Sequence, residues 1–145
     1  MSFWEPCWAC RVVSGELRSG VVTETKDIVV AVNPFPLSQG HALVLPKRHI
    51  QNLYEMSDDL AGPILSMAAL VARAAKHAVK AEGITLRQNN EPASDQHLFH
   101  FHLHVIPRHE GDRDRFNRRP EKIPDLEQAE VAALLSQSIK VLREA

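Results

Sequence analysis

Eight histidines occur in this chain of 145 residues, and three stand at alternate positions in Phe99-His100-Phe101-His102-Leu103-His104-Val105-Ile106. Side chains of an extended strand alternate between its faces, so His100, His102 and His104 share one face and Phe101, Leu103 and Val105 the other. At a rise of about 3.3 Å per residue, neighbouring imidazoles stand about 7 Å apart. Three readings are open for such a row. It is a solvated sheet face, although Thr, Lys or Glu would serve there as well. It is a set of ligands for one catalytic metal, which needs a strongly bent strand to converge. Or it is a nucleophilic site, where one neutral imidazole attacks phosphorus while its neighbours orient it and hold the phosphate.

A second constellation is Cys7-Trp8-Ala9-Cys10. Two thiolates at this spacing suit one tetrahedral zinc, which needs two further ligands; a redox pair or two inert cysteines are the alternatives. The start, Met1-Ser-Phe-Trp-Glu-Pro-Cys, has neither a basic n-region nor an apolar h-region. The expectation is a cytoplasmic protein, where metal or redox chemistry takes precedence over a structural disulfide. No apolar run approaches the ~18 residues of a membrane span, so no membrane partner is expected. A net charge of −1 gives no global reason to expect a nucleic-acid polymer. Arg113, Arg115, Arg118 and Arg119 can steer a small anion locally, or form a solvated loop.

The elements that must position these residues follow from periodicity. An apolar fraction of 44% excludes disorder, and nine prolines without sustained heptads exclude a coiled coil. We read one domain over residues 1–145. Val21 to Thr23, Ile28 to Val32, Ala42 to Leu45, Ile84 to Gln88 and Phe99 to Ile106 read as strands. Leu60, Ile64, Met67, Val71, Ala75, Ala78 and Val79 recur at helical steps after a cap at Ser57, with Gly83 as the C′ residue. Pro63 predicts a kink or a later start. Asp125 and Gln128 resemble a capping box opening a last helix with Leu126, Ala129, Ala133, Leu134, Ile139 and Leu142 on one face. Hairpins dominate, so the fold class is α+β with about five strands in a mainly antiparallel sheet, one long central helix and a C-terminal helix.

His100-Phe-His102-Leu-His104-Val-Ile resembles the signature of the histidine-triad (HIT) family. Asn33, with His41 eight residues on in Gly40-His41-Ala-Leu-Val-Leu-Pro-Lys-Arg-His49, resembles its ribose-side segment. Gln88-Asn89-Asn90 and Gln96 resemble its phosphate loop, and Pro107-Arg108-His-Glu-Gly111-Asp112 the tail of its bacterial members.

The resemblance implies a HIT-like fold and a nucleotide hydrolase or transferase. Its substrate is a nucleoside 5′-phosphate derivative, a dinucleoside polyphosphate or a phosphoramidate. His102 is then the nucleophile, forming a nucleotidyl-histidine that water cleaves, with a carbonyl accepting its Nδ1 proton. His104 holds phosphate oxygens, Asn33 contacts the ribose, and Asn89 and Gln96 lie near the phosphates or leaving group. His41 supports the nucleophile or is simply a structural histidine. Asp95-Gln96-His97-Leu98 stands where many members have Gly-Gln-Ser/Thr-Val. Asp95 thus brings a carboxylate to an anion site, and His97 is either a general acid for the leaving group or an exposed loop residue. A bacterial subset with an N-terminal Cys pair implies one structural zinc on Cys7, Cys10, His49 and His100, tethering residues 1–15. Members commonly pair as homodimers, for which Val71, Ala75 and the C-terminal helix are candidates. A phosphorylase or transferase with the same intermediate, and a nucleotide-binding signalling module, are the alternatives.

Overall fold

A computed structural model describes residues 2–145. The elements in chain order are α1 (Trp8–Val13), β1 (Val21–Glu24), β2 (Ile28–Val32), β3 (Ala42–Pro46), α2 (Asp58–Ala78), β4 (Gly83–Arg87), β5 (Leu103–Arg108) and α3 (Asp125–Glu144). Short 3₁₀ turns cover Leu53–Glu55, Pro92–Ser94 and Arg113–Asn117. The strands form one antiparallel sheet in the order β1-β2-β3-β5-β4, confirming the α+β expectation.

At β2 and β3 both faces of this sheet are covered, which explains why these strands are continuous apolar runs rather than alternating ones. Val30, Val32, Ala42, Val44 and Val105 point to α2 and α3 in one core. Val29, Ala31, Leu43 and Leu45 point the other way, onto Trp8, Ala9 and Val12 of α1. The pleat's period of two puts His104, beside Leu43 in the β3–β5 register, on the α1 face.

The structure corrects several local expectations. The ladder of β5 begins at Leu103, so His100 and His102 precede it. Pro46 has no N–H to pair with, and its carbonyl accepts from the His100 ring (2.7 Å). The Phe101 N–H instead reaches the Ile50 carbonyl (2.7 Å). The backbone nevertheless continues the alternation, with Phe101, Leu103 and Val105 at the main core. α2 starts at Asp58 and stays helical through Pro63, so no later start is taken: Pro63 and Asp59, whose carbonyl loses its N–H partner, are both exposed, while Leu60, Ile64, Met67 and Val71 keep the helix on the sheet. α2 ends at Ala78, and Lys80, not Gly83, takes the positive φ that turns the chain; Gly83 opens β4. At α3, Pro124 is the N-cap and makes no side-chain cap. The Gln128 amide donates to the Ile123 carbonyl instead of closing a capping box. The buried face of α3 is Gln128, Val131, Ala132, Leu135, Ser138 and Ile139, whereas Leu126 and Leu134 are exposed. Val71 and Ala75 are fully enclosed by the chain's own core, which removes them as candidates for pairing two chains.

The turn before β3 needs a glycine. Gly40 has φ +89°, and a Cβ there would lie 3.3 Å from Pro107 Cγ and 3.4 Å from Val79 Cγ1. Ser38 locks the same turn by donating to the Pro107 carbonyl (2.7 Å). Gly40→Ala therefore costs about 1–3 kcal/mol, read as a lower urea midpoint. An unchanged midpoint would show that the turn relaxes freely.

Candidate active site and metal centre

Cys7 caps α1, its sulfur accepting the Cys10 N–H, so the single turn between them brings both sulfurs to one side. His49 follows β3 and His100 precedes β5. Their Nδ1 atoms lie 3.1 Å apart, and the four sulfur–nitrogen distances are 3.3, 3.5, 3.6 and 3.7 Å. Zn–S of about 2.3 Å and Zn–N of about 2.0–2.1 Å in a regular tetrahedron give S···N edges of about 3.6 Å and an N···N edge of about 3.3 Å. The four residues thus fit zinc in both donor type and spacing, and all four ligand atoms lie within 4.8 Å of one another. Burial, reinforced by Cys7, pushes the Cys10 thiol up to about 11, and burial lowers His100 to about 4. The neutral ring of His100 donates from Nε2 to Pro46, which leaves Nδ1 as a lone pair facing the sulfurs.

His100 therefore turns out of the histidine row, which disposes of a single metal held by all three rings. Its backbone stays. The His102 Nδ1–H donates to the His100 carbonyl (2.8 Å), so the His102 Nε2 carries a lone pair. Tautomers are equally constrained next door. The Leu37 N–H can only donate, so His41 accepts it at Nδ1 (3.0 Å) and carries its own proton on Nε2. That proton goes to His104 Nδ1 (2.9 Å), which puts the His104 proton on its Nε2. The His102 and His104 rings stand edge to face, 4.9 Å between centroids. The outcome is a nitrogen lone pair beside an N–H donor, the combination needed to attack an electrophilic centre and hold an oxygen attached to it. Burial keeps the set neutral: it lowers His102 and His104 below the ordinary imidazole value, and with Arg87 and His102 it lowers His41 to about 3.

The rings open into a cleft of about 670 Å³, within the ordinary range for small-molecule sites. Asn33, His41, Asn89, Asp95, His97, His102 and His104 all line it, so seven of the residues read from sequence meet there. Asn33 leaves β2 and accepts the Phe35 N–H at Oδ1 (2.9 Å). Asn89 donates to the Ser94 carbonyl (2.7 Å). Asp95 occupies the left-handed region at φ +65°, a backbone that favours glycine. His97 is exposed at the rim.

Gln96 lies elsewhere. Its carbonyl accepts the Glu91 N–H (2.6 Å) and its amide donates to Gln51 and Leu98 (2.8 and 3.0 Å), so it braces the loop from beneath. Arg87, absent from the sequence reading, lines the cleft because β4 pairs it with His104; that register is a long-range fact. Arg118 and Arg119 also reach the cleft, held by the Ile123 N–H on the Pro34 carbonyl (2.9 Å). The aromatic wall of Phe3, Trp4 and Phe35 was equally invisible in the linear pattern.

His41 generates a pH prediction. Its ordinary value is 6.5 and its folded value about 3, so between these limits the unfolded chain binds the extra proton. The associated stability is complete above about pH 6.5 and is lost as pH falls toward 3. Urea midpoints should therefore fall between pH 7.5 and pH 5, and fall less in His41→Gln. The same fall in both proteins would reject the assignment.

Comparisons with known proteins place the chain among relatives. The family model described as HIT domain matches residues 14–111. The protein hit of Bacillus subtilis is 34% identical over 112 residues, covering 77% of each chain. The adenosine 5′-monophosphoramidase of Schizosaccharomyces pombe is 32% identical over 102 residues, 70% of this chain and 74% of that one. A zinc-bound histidine triad family protein from Mycobacterium smegmatis superposes with a TM-score of 0.83 at 29% identity, covering 96% of both chains. With the family model spanning most of its length, and His102 and His104 in place at the cleft, this chain belongs to the HIT domain family.

Proposed function

We propose that the protein is a nucleotide hydrolase or transferase acting at the α-phosphorus of a nucleoside 5′-phosphate derivative, through a covalent nucleotidyl-histidine on His102. The observation that carries this reading is the His102 Nδ1–H bond to the His100 carbonyl, which leaves Nε2 unprotonated in the cleft. In the first step the Nε2–P bond forms and the bond from phosphorus to the leaving group breaks. His104 Nε2–H donates to a phosphoryl oxygen, where negative charge accumulates in the transition state. His97, at the rim, gives the leaving group its proton, and water then cleaves the Nε2–P bond to release the monophosphate. Asn33 holds the ribose, and Asn89 and Asp95 flank the phosphates. The phosphoramidase activity named for the fission-yeast relative supports this bond class.

Zinc on Cys7, Cys10, His49 and His100 supplies a cross-link. Four protein ligands leave no open position, so its part is structural. What it fixes is the backbone of His100, whose carbonyl orients His102.

His102→Ala should lower monophosphate release from a fluorogenic adenosine phosphoramidate by about three orders of magnitude or more. Rapid-quench mass spectrometry of the wild type should find one adenylate on the peptide carrying His102. Turnover without that adduct, or equal rates for both proteins, rejects the mechanism. His97→Ala should slow poor leaving groups more than good ones; an equal loss for both removes the acid role. Protein purified without chelator should carry about one zinc per chain. Less than about half an equivalent in a folded sample rejects the metal.

A further inference from the structure

The chain reaches the metal cluster by way of the cleft. Phe3 and Trp4 line the cleft, in an edge-to-face series from Phe35 to Phe3 (5.0 Å), Phe3 to Trp4 (5.0 Å) and Trp4 to Trp8 (5.4 Å). The Trp8 N–H donates to the Trp4 carbonyl (2.9 Å), and Arg11 Nε to the Pro6 carbonyl (3.0 Å), so the segment is tied to α1. α1 has six residues, too few to hold its shape by local hydrogen bonding. Its hold on the body comes from Trp8, Ala9 and Val12 on the sheet, and from the two sulfurs at its N-terminal end facing His49 and His100. Phe3 and Trp4 depart from that same end. A metal bound by the two sulfurs and by His49 and His100 would cross-link that end of α1 to the segments after β3 and before β5.

We propose that occupancy of the Cys7–Cys10–His49–His100 cluster by zinc sets the affinity of the cleft for a nucleotide, by placing Phe3 and Trp4 against Phe35 as a wall for the base. The ligand class rests on the function proposed above. Flat aromatic faces accept any purine or pyrimidine by stacking, so the wall contributes affinity rather than chemistry. Coupling between two sites is reciprocal: whatever factor zinc adds to nucleotide affinity, the nucleotide adds to zinc affinity.

The test uses full-length protein, zinc-loaded or stripped with a chelator, and adenosine monophosphate as the probe. Binding is measured by calorimetry and tryptophan fluorescence, and folding by circular dichroism. Stripping should weaken nucleotide binding at least about fivefold, the lower end of ordinary coupling factors. The double variant Phe3→Ala/Trp4→Ala, loaded with zinc, should lose at least as much and become indifferent to zinc. In competition with a chromophoric chelator, the nucleotide should tighten zinc by the same factor in the wild type and not in the double variant. Equal nucleotide affinity for loaded and stripped wild type overturns the proposal. If stripping unfolds the chain, the zinc titration decides: equal tightening in wild type and double variant overturns it. Nucleotide binding that ignores Phe3 and Trp4 sinks this proposal alone, because the adenylate on His102 is measured separately. A loaded wild type that binds no nucleotide sinks it together with the nucleotide reading.

Discussion

The hydrogen bond from His102 Nδ1 to the His100 carbonyl is the constraint around which the site is organised. An imidazole in solution exchanges its proton between two nitrogens, and only the unprotonated one is a nucleophile. Here the carbonyl of a residue two positions away settles the choice. That carbonyl is dependable because His100 is itself clamped twice. Its Nε2–H is on Pro46, and its Nδ1 is in the cysteine–histidine cluster. One residue thus serves three elements: β3 through Pro46, α1 through the sulfurs, and the segment leading into β5 through its backbone.

A sheet with apolar residues on both faces needs cover on both. α2 and α3 cover one face entirely. The other face is divided, with α1 and its approach covering β2 and β3 and the remainder left open as the cleft. The division falls at Leu43, which packs on α1 yet also lines the cleft beside His104. The N-terminal segment is therefore both a lid on the second core and one wall of the site. The cysteine–histidine cluster sits where those two tasks meet.

The loop from Asn89 to Leu98 is held in an unrelaxed shape. Glu91 has φ +72° and Asp95 φ +65°, conformations that cost a side-chain-bearing residue of order 1–3 kcal/mol each. Hydrogen bonds around them offset this. Gln96 spans Glu91, Gln51 and Leu98, Asn90 Oδ1 accepts the Leu53 N–H (2.8 Å), and the Tyr54 hydroxyl donates to Glu91 (2.9 Å). The loop is braced from the 51–55 segment rather than from the cleft, so Asn89, Asp95 and His97 face the opening with few internal partners.

Residue type and spacing alone were enough to find the histidine row, the cysteine pair and the helical period of α2, because each is a local pattern carried by covalent connectivity. The family resemblance then supplied His49 and His100 as partners for the cysteines, positions that spacing alone leaves open. Tertiary structure decided which way each ring turns. His100 leaves the row because the Pro46 carbonyl, 54 residues away, takes its Nε2 and two sulfurs, 90 and 93 residues away, face its Nδ1. Gln96 goes beneath its loop because Gln51 and Leu98 need a donor there, and Arg87 enters the cleft because β4 pairs with β5 in one register. The exposed leucines of α3 were misjudged for the same reason: a period marks a stripe, but only the partner surface says which stripe is covered.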